Sequence, residues 1–166
     1  MTTVHFGQEF WKELEAESPA TKKCLERIPP DLYEYKPHEK SMNLGYLTLL
    51  VAEIPKWIRD TIEISVIDFA TYNHFQLKDT AALVAHFEEN MEGAKRALQK
   101  VSNEELNELF YLKNQGQILF SSPKKETISS SINHMVHHRG QLTVYMRLND
   151  IAVPSIYGPS ADDRRF

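Results

Sequence analysis

The sequence predicts an all-α fold: four long amphipathic helices packed as a four-helix bundle and closed by a packed, irregular C-terminal tail. Three observations predict it. Four segments repeat apolar residues at the i, i+3, i+4, i+7 spacing of a helix face. No stretch between them reads as a credible sheet. The 166 residues suit one domain, 1–166, and can bury a core without staples.

The first segment runs from Phe6 to Ile28, with Phe10, Leu14, Leu25 and Ile28 in helical register. Pro19 is expected to bend or interrupt it, and Ser18 fits a restart with Ser as N-cap and Pro in the first turn. Pro29-Pro30 stops it, and residues 31–40 read as an ordered connection. Ser41 or Asn43 then caps a second helix carrying Leu44, Leu47, Val51, Ile54, Ile58 and Ile62, expected to reach about Ala70. Pro55 lies inside it and removes the N–H that the Val51 carbonyl would accept, so a kink is expected.

A polar turn, Tyr72 to Lys78, precedes a third helix capped by Asp79 or Thr80, with Leu83, Phe87, Met91, Ala94 and Leu98 facing inward. Glu104 to Leu109 suggests a short helical turn. Tyr111 to Pro123 reads as a loop with a short extended piece at Gln117–Phe120. A fourth helix starts near Lys124 or Lys125 and runs to about Asn149. Pro154, Gly158 and Pro159 then give the tail, which ends in the charged stretch Asp162–Arg165. Together the segments suggest an antiparallel-type bundle with one or two long connections.

Composition narrows the function. Lys+Arg number 19 and Asp+Glu 23, a net charge of −4 with histidines neutral, which disfavours nucleic acid as a partner because phosphate neutralisation needs a basic footprint. One cysteine, Cys24, excludes an intramolecular disulfide framework and a thiolate zinc site, and it reads as a plain helix residue in a reducing cytoplasm. Met1 to Phe10 lacks the basic end and apolar run of a signal peptide. No run approaches the ~20 apolar residues that span a bilayer. A cytoplasmic protein without membrane contact is expected.

The chemistry concentrates in Ile132–Tyr145. At about 100° per residue, Ile128, Ile132, Met135, Leu142 and Met146 form the core stripe. His134 and His138 lie one turn apart beside it, and Gln141 and Tyr145 continue their row. Two histidines at i, i+4 can direct ring nitrogens to one point, as helical zinc sites do, although two hydrogen-bonded histidines have the same spacing. His137 falls about 100° away, on the exposed side. Arg139 lies within the apolar arc and requires a carboxylate or carbonyl partner, for which Glu53 is the candidate. His38, His74 and His86 have no spacing that directs them to a common site.

Four stretches together resemble the DinB-like superfamily, which includes YfiT-like metalloenzymes: PHEKSMNLGYL at 37–47, VAEIPKWI at 51–58, NHMVHHRGQL at 133–142 and the tail at 147–163. The resemblance implies an up-up-down-down bundle, a homodimer, and a divalent metal such as zinc or nickel held by three histidines. His134 and His138 match two of them. The third position, on the second helix, is Leu50, which has no lone pair; two imidazoles and water hold a metal more weakly than three ligands do. The expectation is therefore an incomplete site with no tightly bound metal. Glu53, one turn from Leu50, can offer an oxygen instead, yet it belongs to a pattern that the metal-binding relatives also show.

Two functions follow. The resemblance implies a metal-dependent S-transferase using a low-molecular-weight thiol, or a hydrolase, with His134 and His138 on the metal, Tyr145 donating a hydrogen bond and Arg139 orienting the active face. The alternative is a metal-free protein that binds a small apolar or aromatic molecule, with the two histidines as polar anchors, or that acts through a dimer surface.

Overall fold

The structure is a computed structural model and describes residues 4–165. Met1–Thr3, where the stretch read for a signal peptide begins, and Phe166 lie outside them. Four helices, α1 (Phe6–Leu25), α2 (Leu44–Glu63), α3 (Thr80–Lys100) and α4 (Lys124–Leu148), are joined by a three-stranded sheet: β1 (Val66–Asp68), β2 (Leu109–Asn114) and β3 (Gln117–Pro123). The fold is therefore α+β, which corrects the all-α four-helix bundle expected from the sequence.

The helices follow their apolar stripes. α2 packs mainly on α3 and α4, and α1 packs on the same two. Leu14, Leu25, Leu47, Val51, Ile54, Ile58, Leu83, Phe87, Leu98, Ile128 and Met135 share one core. Asn43 caps α2 by accepting the Tyr46 N–H at 2.8 Å, and Asp79 caps α3 by accepting the Ala82 N–H at 2.7 Å. α1 passes through Pro19 as one helix, so Ser18 starts no new one. Pro19 and Glu15 are both exposed, and water can take the Glu15 carbonyl that the proline leaves free. Gly7 permits close packing of α1 on α3: a Cβ there would stand 2.2 Å from the Leu98 carbonyl oxygen.

Pro55 sits inside α2, and buried Asn90 of α3 donates to the Ala52 carbonyl at 3.0 Å in the turn before it. An outside donor thus reaches α2 where proline disturbs the helical ladder. The helix ends at Glu63 rather than near Ala70, because Ser65 turns to φ +62° and Val66-Ile67 continue as strand. β1 pairs in parallel with β2, and β2 pairs antiparallel with β3. The loop expected over residues 111–123 is instead a hairpin, turned by Gln115 and Gly116, both at positive φ. The Asp68 carboxylate accepts the Ala70, Gln115 and Gly116 N–H groups at 2.8–3.0 Å, which ties β1 to that turn. Those bonds hold its pKa below the usual carboxylate range.

The tail over residues 149–165 is irregular and packed, as expected. Asp162 pairs with Arg147 and accepts the Val153 N–H, while Pro154 and Asp163 are buried. Among the described residues no helix is long and apolar enough to cross a membrane.

Candidate functional site

α4 carries two different polar faces. One is the predicted row. His134 and His138 meet through their Nε2 atoms at 2.7 Å, and His138 Nδ1 lies 2.7 Å from Gln141 Oε1. An amide oxygen only accepts, so His138 carries its hydrogen on Nδ1 and receives the Nε2–H of His134. Burial, then the neighbouring His138 and His137, lowers the basicity of His134. Tyr145 is not available as a donor, because its hydroxyl donates to the Met42 carbonyl at 3.1 Å and its ring lies edge-on to Tyr35.

α2 and α4 run antiparallel here: the ring of Trp57 lies 5.8 Å from that of His134, while Tyr145 reaches Met42 just ahead of α2. Half-buried Leu50 falls between those two contacts along α2. Two imidazole nitrogens on a tetrahedral metal, with bonds of 2.0–2.1 Å, stand about 3.3 Å apart. His134 and His138 are closer than that and bond to each other, and Leu50 adds no donor. Among the described residues no group of three or more His, Cys, Asp or Glu side chains converges as a metal site. The donor set does not fit the three-histidine metal that the resemblance implies.

The other face of α4 carries Arg139, only 1% exposed. Its partner is Glu17, not Glu53. Nη2 lies 2.6 Å from Glu17 Oε2 and donates to the Tyr157 hydroxyl at 2.9 Å, while Nη1 donates to the Glu17 carbonyl and to Thr21 Oγ1. The requirement for a carboxylate or carbonyl was legible, but the partner lies on α1. The polar contacts of this cluster join α1, α4 and the tail, so Arg139 ties these three parts of the fold together.

Glu53 is buried on α2 at 1% exposure. Its Oε1 accepts the Phe75 N–H at 2.9 Å, and its Oε2 lies 3.2 Å from His74 Nδ1. His86 Nε2 stands 3.4 Å from Oε1 without hydrogen-bond geometry, and its ring stacks on Phe75. The fold thus gathers His74 and His86 around one carboxylate, a site that linear spacing did not show. Glu53 lies 21 residues from His74 and faces a connection without regular structure, so no periodicity links them. The polar turn Tyr72–Lys78 was the available signal.

His74 and His134 both line a cavity of about 280 Å³ between the sheet and helices α2 and α4. Its walls include Trp57, Phe69, Tyr72, Phe110 and Phe120, with Ser130 and Thr127 of α4 at one side. Tyr72 donates weakly to buried Asp60, at 3.4 Å, and burial followed by the Asp60 and Glu53 charges pushes its phenol far above the usual range. Cys24 lies elsewhere, in the core, and burial pushes its thiol up to about 11, so it is an inert core residue.

Fold and site together define an α+β helical protein with an aromatic-walled cavity beside a histidine pair. The DinB family profile matches residues 1–165, and the chain belongs to the DinB family. A DinB-like protein from Bacillus cereus superimposes with a TM-score of 0.68 at 19% identity, covering 90% of this chain and 97% of that one. The DinB-like protein YjoA from Bacillus subtilis gives 0.66 at 20% identity, over 94% and 99%. At such identities the likeness is one of fold. The uncharacterized protein YrdA of Bacillus subtilis is 44% identical over 41 residues, and the match spans 25% of each chain.

Proposed function

We propose that this DinB-family protein binds a small, largely apolar organic molecule in the cavity between the sheet and helices α2 and α4, without a metal. The observation that carries the reading is the cavity itself: about 280 Å³, walled by aromatic rings, with imidazoles at its margin. Ligand sites combine such apolar walls with a few placed polar groups. A dry apolar cavity of about 150 Å³ already accepts benzene, so the space here suits a substituted single ring. Burial of that ring supplies the affinity, and the polar margin fixes its orientation.

The second reading, a metal-dependent S-transferase or hydrolase, asks three donors to meet at one ion. His134 and His138 supply two nitrogens that bond to each other, and Leu50 supplies none. A thermal-shift series with toluene-sized neutral compounds, small acids and thiols, run with and without a chelator, separates the readings. Stabilisation by neutral aromatics that a chelator leaves unchanged is expected. Stabilisation that appears only with added zinc or nickel would overturn the proposal in favour of the metal-dependent one.

A further inference from the structure

The Glu53–His74 contact fixes more than the position of a loop. A carboxylate has no hydrogen to give, so the short Nδ1···Oε2 approach at 3.2 Å places the imidazole hydrogen on His74 Nδ1. Nε2 is then the bare nitrogen. It has no hydrogen-bond partner among the described residues, and the half-exposed ring lines the cavity. His134, the other imidazole there, spends its Nε2–H on His138, which leaves Nδ1 as its bare nitrogen. Thr61 and Ser131 donate their hydroxyls to helix carbonyls, and Thr127 shares a hydrogen bond with Ser122. His74 Nε2 is therefore an unpaired acceptor fixed by Glu53, beside hydroxyls such as that of Ser130 that can either donate or accept.

We propose that His74, held in one tautomer by Glu53, makes the cavity selective for a small aromatic molecule bearing a hydrogen-bond donor, a phenol-type hydroxyl. The inference rests on the binding reading above and names its ligand class. A ligand whose only polar atom is a carbonyl would set one lone pair against another, whereas a phenol completes the chain from Glu53 through His74 to its own hydroxyl. A contact that served only to anchor the loop would leave ligand choice unaffected.

The test is calorimetric titration at pH 8, where histidines are ordinarily neutral, with three probes of similar size. They are p-cresol (a donor), benzaldehyde (an acceptor) and toluene (neither). The wild type should bind p-cresol about tenfold more tightly than benzaldehyde, the scale of one hydrogen bond. In Glu53→Gln the side-chain oxygen stays with the Phe75 N–H and the amide N–H faces His74. The imidazole hydrogen then moves to Nε2, and the preference should reverse toward benzaldehyde. His74→Phe, at a half-exposed position that tolerates change, should bind all three alike and decides the matter if Glu53→Gln does not fold. Equal affinities in the wild type, or a p-cresol preference that survives His74→Phe, overturn this inference and leave the binding reading standing. Failure of all three probes to bind overturns both.

Discussion

Arg139 and Glu53 are the two charged side chains sealed to 1% exposure, and the structure treats them in opposite ways. The Arg139 guanidinium meets a carboxylate, a carbonyl and two hydroxyls, and Tyr157 in turn bonds to Glu17. Glu53 is held by one backbone N–H and one imidazole, with a second imidazole nearby that lacks a partner, and the cavity opens beside it. A closed polar cluster has no valence to spend on a ligand and acts on stability. A cluster whose outer atom stays free beside an apolar space can choose what enters. The difference gives a stabilising role to one region and, on the binding reading proposed above, recognition to the other.

The comparison breaks most readily at Arg139. Arg139→Ala leaves Glu17 partly buried without its cation, and breaking such a pair costs about 3–5 kcal/mol. Urea unfolding should show that loss, while the protein that remains folded binds aromatic probes as the wild type does. A change in probe affinity would place Arg139 in the recognition region after all. Asn90→Ala removes the donor to the Ala52 carbonyl in the turn before Pro55 and should cost about 1–3 kcal/mol, also read by urea unfolding. Tyr157→Phe keeps the ring and deletes the bridging hydroxyl; because the side chain is 72% exposed, the expected loss is about 1 kcal/mol.

Ser130→Trp sharpens the other side. Ser130 is exposed and lines the cavity, so filling the space should abolish probe binding while stability changes by no more than about 0.5 kcal/mol. The smallest effect is in pH. Burial lowers the folded basicity of His134, so the unfolded chain takes the proton first as pH falls. Its contribution is complete above about pH 6.5, the unperturbed imidazole value, and is lost as pH drops through that point and the lower folded one. In unfolding midpoints measured from pH 8 to pH 5, His134→Gln should show a shallower decline than the wild type.

The helices were legible because each buries one stripe: Leu44, Leu47, Val51, Ile54 and Ile58 on α2, and Leu83, Phe87, Met91, Ala94 and Leu98 on α3, are all buried. Their caps, Asn43 and Asp79, were among the expected residues. The sheet was not legible, for a physical reason. Ile118, Leu119 and Phe120 on β3 are all at least half exposed, and a register shift at Leu112/Lys113 breaks the alternation that marks a strand. The turn residues Gln115-Gly116 were the remaining signal. At the site, the His134–His138 row followed from helical spacing. The Glu53–His74 contact did not, because it depends on where a loop of irregular backbone comes to rest.

The central claim is that the cavity binds a neutral aromatic molecule without a metal. Its most direct test is calorimetric titration of p-cresol into chelator-treated wild type and Ser130→Trp. Saturable one-to-one binding to the wild type, absent from the variant and unchanged when zinc or nickel is restored, is the predicted result. Binding that requires the metal, or that persists undiminished in Ser130→Trp, would contradict it.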